Sequence, residues 1–448
     1  MKILFISLGC DKNLVDSEVM LGLLTKNGYT LTDDETQADV IVINTCCFIH
    51  DAKEESINTI LEMAQYKEQN LKALVVAGCL AERYKDEILK EIPEIDAVLG
   101  TTSYDSIVEA VNMALTENAG EHFEHYESID YLPDNSEVER VVTTGNHMAY
   151  LKIAEGCDKR CSYCIIPKIR GHFRSVPMEE LLNEAKRLAS EGVKELVLVA
   201  QETTLYGKDL TGEKQLPLLL HELCKIGGIE WIRLLYCYPE EITDELIEAI
   251  KTEEKVCNYI DMPIQHSENR ILQRMGRRTS REDLVAVIKK LRQEIPDITI
   301  RTTLITGFPG ESEEDHEGLM NFVEECKFDR LGVFTYSPEE DTLAATFEDQ
   351  IDEEVKEARR DELMSLQQEI SYEHTQQLVG KTIKVMVEGY LFEDDIYVGR
   401  SYMDAPKVDG CVFINSPEEL MTGDFVYVKI TQGREYDVIG EVDYEFTK

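Results

Sequence analysis

The sequence lacks any long apolar run, and it is poor in basic residues. No apolar stretch reaches the roughly 18 to 20 residues that a membrane-spanning helix needs, so a membrane protein is not expected. Its 448 residues include 46 lysines and arginines against 88 aspartates and glutamates, a net charge of −42. A surplus of carboxylates this large repels polyanions and attracts basic partners. The 43% hydrophobic and 30% charged content is typical of a soluble globular protein, and the length indicates several domains.

The first ten residues are expected to form a strand rather than a targeting segment. They contain one lysine and a short apolar run, without a small-residue cleavage pattern. Together with this expectation, the twelve cysteines predict a reducing, cytoplasmic location. They also predict metal or redox chemistry, because disulfide frameworks belong to oxidising compartments.

Three cysteines form a C-x-x-x-C-x-x-C run, Cys157, Cys161 and Cys164, directly after the apolar segment 149–154. Thiolates this close together can hold three corners of a cubane iron–sulfur cluster and leave the fourth iron free for another ligand. A zinc site or a redox thiol pair is the alternative. Zinc sites usually contain two separated C-x-x-C pairs, and the sequence has no second pair. The cluster is therefore the favoured interpretation, and its position after a predicted strand strengthens it.

The first part of the chain repeats a simple plan of apolar runs separated by helical patterns. The runs lie at residues 3–8, 40–45, 73–78 and 97–100. They predict a doubly wound parallel sheet, which the fourth run is expected to complete. A cysteine follows each of the first three runs, namely Cys10, Cys46 and Cys79. The carboxyl ends of neighbouring parallel strands meet in one crevice, so these cysteines predict a second cluster site. Free cysteine is often simply buried, and Cys47 is interpreted in that way, as a core or spare thiol.

A polar linker, with an edge strand as one option, is expected at residues 117–144. The alternation of strands and helices then resumes. Strands are predicted at residues 150–154, 195–200, 231–236, 259–262, 298–305 and 330–336. Helices are predicted between them, at residues 178–191, 241–251, 281–294 and 313–326. This pattern indicates a partial, open TIM-like barrel, whose active site lies at the carboxyl ends of the strands.

Other residues at these predicted strand ends become candidates for ligand binding. Glu202 follows the second strand, Gln265 the fourth, and Gly307 and Gly310 the fifth. The two glycines let a backbone approach a ligand closely, although such a turn is often only a turn. His266 is assigned no catalytic role.

The last part of the chain changes character. A highly charged helical pattern at 350–377 is interpreted as a solvated connecting helix. Five short strands are then expected, at residues 382–387, 396–400, 412–415, 425–431 and 437–441. They predict a small antiparallel barrel of oligonucleotide-binding type. Its acidic residues outnumber its basic ones, and it shows no arginine–aromatic stacking platform for single-stranded RNA. We therefore expect it to bind a basic protein.

The whole chain resembles the methylthiotransferase family of radical S-adenosylmethionine (SAM) enzymes, through both cysteine sets and the order of its three parts. The resemblance implies an N-terminal methylthiotransferase domain at 1–118, a radical SAM core at 143–374 and a C-terminal TRAM domain at 376–446. It implies that Cys157, Cys161 and Cys164 hold the 4Fe-4S cluster that cleaves SAM. It implies a second, auxiliary 4Fe-4S cluster on Cys10, Cys46 and Cys79. SAM contacts are expected from Glu202, Gln265, Gly307 and Gly310.

Three stretches, at residues 7–18, 44–49 and 164–171, look like the branch that modifies an aspartate of small-subunit ribosomal protein twelve. The branch that modifies isopentenyladenosine in tRNA typically reads Gln-Met-Asn where this chain has Asp11-Lys12-Asn13. One departure is Cys47, where the ribosomal-protein branch often has glycine. The resemblance thus implies methylthiolation of an aspartate β-carbon with two SAM molecules, and an electron donor such as flavodoxin or ferredoxin. A tRNA methylthiotransferase and a non-enzymatic iron–sulfur electron carrier are the alternatives.

By this resemblance the reaction needs no side-chain acid or base. An electron passed to SAM gives methionine and a 5′-deoxyadenosyl radical, which takes hydrogen from an unactivated carbon. The cofactors carry the bond-making, while the protein supplies ligation and positioning. The remaining cysteines are expected to be core residues, namely Cys224, Cys237, Cys257, Cys326 and Cys411.

Overall fold

The computed structural model describes residues 1–116, 122–136 and 138–445. The strands of these residues form two open parallel sheets, one closed barrel and one short ladder. The strands are β1 (Lys2–Ser7), β2 (Thr30–Leu31), β3 (Val40–Thr45), β4 (Ala73–Gly78), β5 (Ala97–Leu99), β6 (Phe123–His125), β7 (Met148–Lys152), β8 (Ala154–Glu155), β9 (Arg174–Ser175), β10 (Glu195–Val199), β11 (Trp231–Leu234), β12 (Val256–Asp261), β13 (Thr299–Thr306), β14 (Arg330–Thr335), β15 (Thr382–Leu391), β16 (Ile396–Ser401), β17 (Val412–Asn415), β18 (Phe425–Gly433) and β19 (Val438–Val442).

Helices connect these strands. They are α1 (Asp11–Lys26), α2 (His50–Ala64), α3 (Cys79–Arg83), α4 (Ile88–Glu91), α5 (Ile107–Ala114), α6 (Ile166–Ile169), α7 (Met178–Ser190), α8 (Lys208–Thr211), α9 (Leu216–Cys224), α10 (Asp244–Thr252), α11 (Asn269–Arg274), α12 (Arg281–Glu294), α13 (Glu313–Cys326) and α14 (Glu353–Leu378). In the described ranges no helix is long and apolar enough to cross a membrane.

The first sheet has the parallel strand order β2-β1-β3-β4-β5-β6. Alternate side chains of β3 pack on opposite faces, Ile41 and Ile43 towards α2 and Val40 and Val42 towards α1 and α5. Because strand side chains alternate, one run of apolar residues serves both helical layers. The predicted doubly wound domain is confirmed.

The expectation that β5 completes this sheet was wrong, since β6 pairs with it in parallel. This strand lies in the segment that we interpreted as a polar linker with an optional edge strand. It spans only Phe123–His125, and none of its residues is buried. An edge strand this short has no buried face of its own, so its sequence carries little periodic signal.

The second sheet has the parallel order β14-β13-β12-β11-β10-β7. Among the described residues its two edge strands, β14 and β7, do not pair with each other, which leaves the barrel open. Its outer face packs on helices α7 and α9 to α14 through an extensive apolar core. Its inner face presents Tyr150, Val197, Trp231 and Tyr259. The predicted partial TIM-like barrel is confirmed.

The third unit is the closed barrel β15-β16-β17-β19-β18. Its neighbours pair in antiparallel fashion except β17 and β19, whose parallel pairing closes the barrel. Alternating valines and isoleucines fill its interior. The predicted small barrel is confirmed.

The charged helix α14 is not a solvated connector, so that expectation was wrong. Lys356 and Arg359 are 4% and 7% exposed, although both are cationic. The Lys356 ammonium donates to the Tyr336 carbonyl at 2.9 Å, and Arg359 donates to Glu311 at 3.0 Å. Leu363 and Ile370 add apolar contacts to the barrel core. The helix packs on the barrel because its buried charges all find partners.

Candidate functional site

The loop that carries Cys157, Cys161 and Cys164 is closed at its base by the two-stranded ladder of β8 and β9. Gly156 has φ +78°, and a Cβ there would lie 2.1 Å from the His172 carbonyl oxygen, so only glycine fits. The Cys157 N–H donates to the Gly171 carbonyl at 3.1 Å. The ladder therefore places the first cysteine at the carboxyl end of the first barrel strand.

The middle of this loop is fixed by the segments that follow α11 and β14. The Ser162 N–H donates to the Met275 carbonyl at 2.9 Å, and the Ser162 carbonyl accepts from the Ala344 N–H at 2.8 Å. Cys157 and Cys161 are buried and Cys164 is half-buried. Burial raises the pKa of the Cys157 thiol to about 12. Binding of a metal to Cys157 would therefore have to remove the proton of its thiol.

Glu202, which was predicted from its position after the second strand, lies in a buried charged cluster beside this loop. Lys159 stands 3.8 Å from Glu202 and pairs with Glu240 and Glu241 at 3.0 and 2.7 Å. Burial raises the pKa of Glu202 to about 8, although a hydrogen bond from Thr204 and the charge of Lys159 oppose it. One oxygen of Glu202 and one of Glu240 are buried without a hydrogen-bond partner. Such atoms mark a place where a cationic ligand group would be stabilised.

Gln265 lies at the end of the fourth barrel strand in the left-handed region, with φ +73°. Its N–H donates to Thr303 and its carbonyl accepts from Ile305, which ties it to β13. A non-glycine residue held in this conformation carries strain of a kind that clusters at ligand sites. Its contact with SAM stays a prediction.

Close packing leaves no room for a side chain at Gly307 or Gly310. A Cβ at Gly307 would lie 2.2 Å from Lys356 of α14, and one at Gly310 would lie 2.4 Å from Asp349. Both glycines also have positive φ, at +69° and +79°. The helix that follows them, α13, begins with a capping box in which the Ser312 and Asp315 side chains each accept the other's N–H. Their predicted contact with SAM also stays a prediction.

The second set, Cys10, Cys46 and Cys79, follows β1, β3 and β4 at one edge of the first sheet. A Cβ at Gly9 would lie 2.9 Å from the Cys46 sulfur, so the glycine lets two strand ends approach. The Cys46 N–H donates to the Ser56 hydroxyl at 3.0 Å. Cys46 and Cys79 are buried and Cys10 is exposed. The structure brings these residues to one edge, and their role as ligands stays a prediction.

Asn13, the third residue of α1, holds this edge together. Its amide nitrogen donates to the Thr45 and Leu8 carbonyls at 2.8 and 3.1 Å, and its own carbonyl accepts from Asn44 at 2.9 Å. Its side-chain oxygen lies 3.8 Å from the Cys79 sulfur. The strand ends are therefore fixed to one another by one fully buried amide.

A buried ionic network joins the two cysteine sets, and motif reading did not identify it. Arg170, six residues beyond Cys164, donates to Asp16 of α1 at 2.9 Å and to Glu155 at 3.0 Å. Lys152 at the end of β7 pairs with the same two carboxylates. Burial alone would raise the pKa of Glu155, but the charges of Arg170 and Lys152 hold this pKa well below its usual range. The first sheet and the barrel thus share one charge-balanced contact.

A second contact involves the stretch Asp11-Lys12-Asn13. The Lys12 ammonium lies 2.8 Å from the Asp11 carboxylate and 3.3 Å from the centre of the Tyr236 ring. The Tyr236 hydroxyl donates to Asp11 at 3.2 Å. Tyr236 stands just beyond β11 in the left-handed region, with φ +61°. The loop that carries Cys10 is therefore stacked on the mouth of the barrel.

Three family models match successive parts of the chain. Residues 2–100 match the uncharacterized protein family UPF0004, residues 151–323 match the radical SAM superfamily, and residues 379–442 match the TRAM domain. The ribosomal protein uS12 methylthiotransferase RimO of Lachnoclostridium phytofermentans is 62% identical over 444 residues, which cover 99% of this chain and 100% of that protein. The chain belongs to the RimO family. The RimO protein of Acetivibrio thermocellus is 52% identical over 100% of this chain and 99% of its own length.

A solved structure shares the fold. The radical SAM methyltransferase TsrM of Kitasatospora setae, solved with cobalamin and a [4Fe-4S] cluster bound, aligns with a TM-score of 0.56. The alignment covers 85% of this chain and 78% of that chain at 14% sequence identity. The likeness supports the arrangement of the open barrel and says nothing of substrate.

As a member of the RimO family with a radical SAM core, the protein is an enzyme that uses SAM and iron–sulfur chemistry. The donor sets fit these cofactors, because both sets consist of free thiols. Within the described residues no three Cys, His, Asp or Glu side chains form a site for one metal ion.

The other cysteines have apolar surroundings. Cys47, Cys237, Cys257 and Cys326 belong to hydrophobic cores, and Cys224 packs against one of them. Their core interpretation agrees with this packing. Cys411 is half-buried, and its N–H donates to Asp437 at 2.8 Å.

Proposed function

We propose that this RimO-family enzyme transfers a methylthio group to the β-carbon of an aspartate of ribosomal protein uS12. The observation that carries the proposal is the contact of Arg170, in the segment that follows Cys164, with Asn13 and with the Cys79 sulfur of the other cysteine set. A carbon atom activated at one set can receive sulfur from the other only if both open onto one substrate site. The near full-length similarity to RimO proteins supports the choice of substrate.

The proposal assigns one 4Fe-4S cluster to Cys157, Cys161 and Cys164 and a second to Cys10, Cys46 and Cys79. When bound, the two clusters and two SAM molecules supply the radical, the sulfur and the methyl group. The chain itself supplies three cysteine ligands to each cluster and excludes water, since four of the six sulfur-bearing residues are buried. The domain limits proposed for these parts are 1–118, 143–374 and 376–446.

SAM is proposed to bind between the cysteine loop and the strand ends that carry Glu202 and Gln265. The Glu202 oxygen that lacks a hydrogen-bond partner would accept from the amino group of SAM. Gly307 and Gly310 remain part of the proposed SAM site through their backbone. An electron donor such as flavodoxin or ferredoxin is proposed in the cytoplasm.

The Glu202→Gln substitution is expected to weaken SAM binding by about two- to tenfold, because the raised pKa of Glu202 leaves its carboxyl largely neutral and a neutral hydrogen bond contributes ~0.5–1.5 kcal/mol. Equilibrium dialysis of labelled SAM against the reconstituted protein measures the change. Glu241→Gln is the matched control, since both of its oxygens already pair with Lys159 and Lys214. Equal affinity in wild type and Glu202→Gln would remove Glu202 from the SAM site.

The charge distribution supports a basic protein substrate, but part of the acidic surplus is internal. Asp404 pairs with Arg330 at 2.6 Å and Asp409 with Arg301 at 3.3 Å, so these carboxylates hold the small barrel on the radical SAM core. Exposed carboxylates cluster on two loops of the small barrel, Glu393, Asp394 and Asp395 on one, and Glu418 and Glu419 on the other. Clustered exposed carboxylates attract a basic protein and repel tRNA.

Mass spectrometry tests the proposal. The protein is reconstituted without oxygen and incubated with SAM, a reductant, and either ribosomal protein uS12 or bulk tRNA. We expect the mass of a methylthio group on one aspartate of uS12 and no modified adenosine in tRNA. A uS12 variant with alanine at that aspartate is the control. Modified tRNA and unmodified uS12 would overturn the substrate assignment and retain the family.

A further inference from the structure

The segment that follows Cys157, Cys161 and Cys164 packs against the N-terminal sheet, and Arg170 is its last residue. The short helix α6 precedes it, and the Arg170 N–H donates to the Ile166 carbonyl at 2.8 Å. Ile165 and Ile169 are 2% and 1% exposed and pack into the same apolar core as Cys79. The Thr101 hydroxyl donates to the Ile169 carbonyl at 2.7 Å. The backbone of this segment is therefore immobilised in the first domain, although its cysteines belong to the barrel.

The two terminal nitrogens of the Arg170 guanidinium, which is 2% exposed, donate to different groups. One terminal nitrogen donates to Asp16 and Glu155, which balances its charge. The other donates to the Asn13 side-chain oxygen and to the Cys79 sulfur, the latter at 3.6 Å. A planar guanidinium reaches four acceptors at once, whereas an ammonium cannot take this fork geometry.

The Cys79 sulfur has little freedom to avoid this contact. Cys79 is the first residue of α3, directly after Gly78, whose φ is +94°. A Cβ at Gly78 would lie 2.3 Å from the Asn44 side chain, so the strand end is packed against its neighbour. Asn44 in turn donates to Asn13 and Ser17. The sulfur, the amide and the guanidinium are thus fixed by the same contacts.

We propose that Arg170 is a positioning residue that binds the Cys79 sulfur of the auxiliary cluster and raises the reduction potential of that cluster. The proposal rests on the cysteine assignment given under the proposed function. Reduction adds one negative charge to a cluster, and a cation that donates to a ligand sulfur stabilises the reduced form. Arg170 also fixes the auxiliary site relative to the loop of Cys157, Cys161 and Cys164.

The alternative is that Arg170 is only an interdomain ion pair with Asp16 and Glu155. Arg140 provides the comparison, because it is another buried arginine between the two domains. It pairs with Glu18 of α1 at 3.4 Å and with Glu184 of α7 at 2.9 Å, and it donates to the Tyr150 carbonyl. Among the described contacts of Arg140 none is to a cysteine. A purely structural role predicts the same result for both arginines.

The test is a redox titration followed by electron paramagnetic resonance. The parent protein is the full chain with Cys157, Cys161 and Cys164 replaced by alanine, so that only the auxiliary cluster assembles. Arg170→Gln and Arg140→Gln are made in this parent. We expect a more negative potential for Arg170→Gln and an unchanged potential for Arg140→Gln. Equal potentials in the parent and Arg170→Gln, or an equal shift in Arg140→Gln, would overturn the proposal.

Arg170→Lys keeps the experiment decisive if Arg170→Gln does not fold. The lysine retains a charge opposite Asp16 and Glu155, but it lacks the second arm that reaches Cys79. We expect a folded protein whose auxiliary cluster has a more negative potential than that of the parent. A parent-like potential in Arg170→Lys contradicts the proposal. Failure of the parent itself to assemble a cluster would instead refute the assignment of Cys10, Cys46 and Cys79, and this inference with it.

Discussion

Replacement of Cys46 by alanine is expected to abolish the methylthio product while SAM is still cleaved to 5′-deoxyadenosine. Cys157→Ala is expected to abolish both. The two residues lie on different sheets, Cys46 after β3 and Cys157 in the loop between β8 and β9. Loss of one thiolate from a set of three removes one of the protein ligands of that cluster. Each lost product should fall below detection.

Cys47→Ala is the matched control for Cys46→Ala. Cys47 is adjacent in sequence and fully buried, and it packs in the same hydrophobic core as Cys79, but it is not assigned as a ligand. We expect both products from Cys47→Ala, with a modest loss of stability. Liquid chromatography for 5′-deoxyadenosine and mass spectrometry of uS12 separate the two readouts. Full product from Cys46→Ala would show that the auxiliary role is assigned wrongly.

The placement of the six cysteines could be predicted because it depends on local patterns. A buried parallel strand appears as a run of apolar residues, and its carboxyl end is where the run stops. Cys10, Cys46 and Cys79 each follow such a run, so topology alone brings them to one edge. The same rule located Glu202, which the structure places in the charged cluster around Lys159.

The network around Arg170 could not be predicted, because its partners are far apart along the chain. Arg170 and Asp16 are separated by 154 residues, and no periodicity links them. Both lie in stretches that resemble the ribosomal-protein branch, at 164–171 and 7–18. A resemblance marks such residues without saying what they contact. The docking of two domains had to be observed in the structure.

The burial of the charged helix α14 could not be predicted from its sequence either. Its sequence has charges all around, so a solvated helix was the direct interpretation. In the structure one face packs on β14 and α13, and its buried cations donate to fixed acceptors. Whether a lysine or arginine is exposed depends on a partner supplied by another element. Gly307 illustrates the same point, since its neighbour Lys356 belongs to this helix.

Glu195→Gln is expected to destabilise the protein by ~3–5 kcal/mol, because it leaves two buried guanidinium groups without their shared carboxylate. Glu195 is fully buried. It accepts from Arg233 of β11 at 2.8 Å and from Arg400 of β16 at 2.6 Å. It is the first residue of β10, so the small barrel is docked near the amino ends of the barrel strands, opposite the cysteine loop. Urea unfolding, with limited proteolysis after residue 378 as a second readout, measures the loss.

The Glu195 carboxylate also makes the stability of the fold depend on pH. Burial alone would raise the pKa of Glu195, but the charges of Arg400 and Arg233 lower this pKa to about 2. A carboxyl whose pKa is lower in the folded state stabilises the fold above its unfolded pKa of about 4.3, and this stabilisation is lost as pH falls towards 2. Wild type should therefore lose more stability than Glu195→Gln between pH 5 and pH 3. Glu373→Gln, which breaks an exposed pair with Lys327, is the control and should change stability little at any of these pH values, because solvent screens an exposed pair. A parallel pH profile for wild type and Glu195→Gln would show that this buried pair does not hold the small barrel in place.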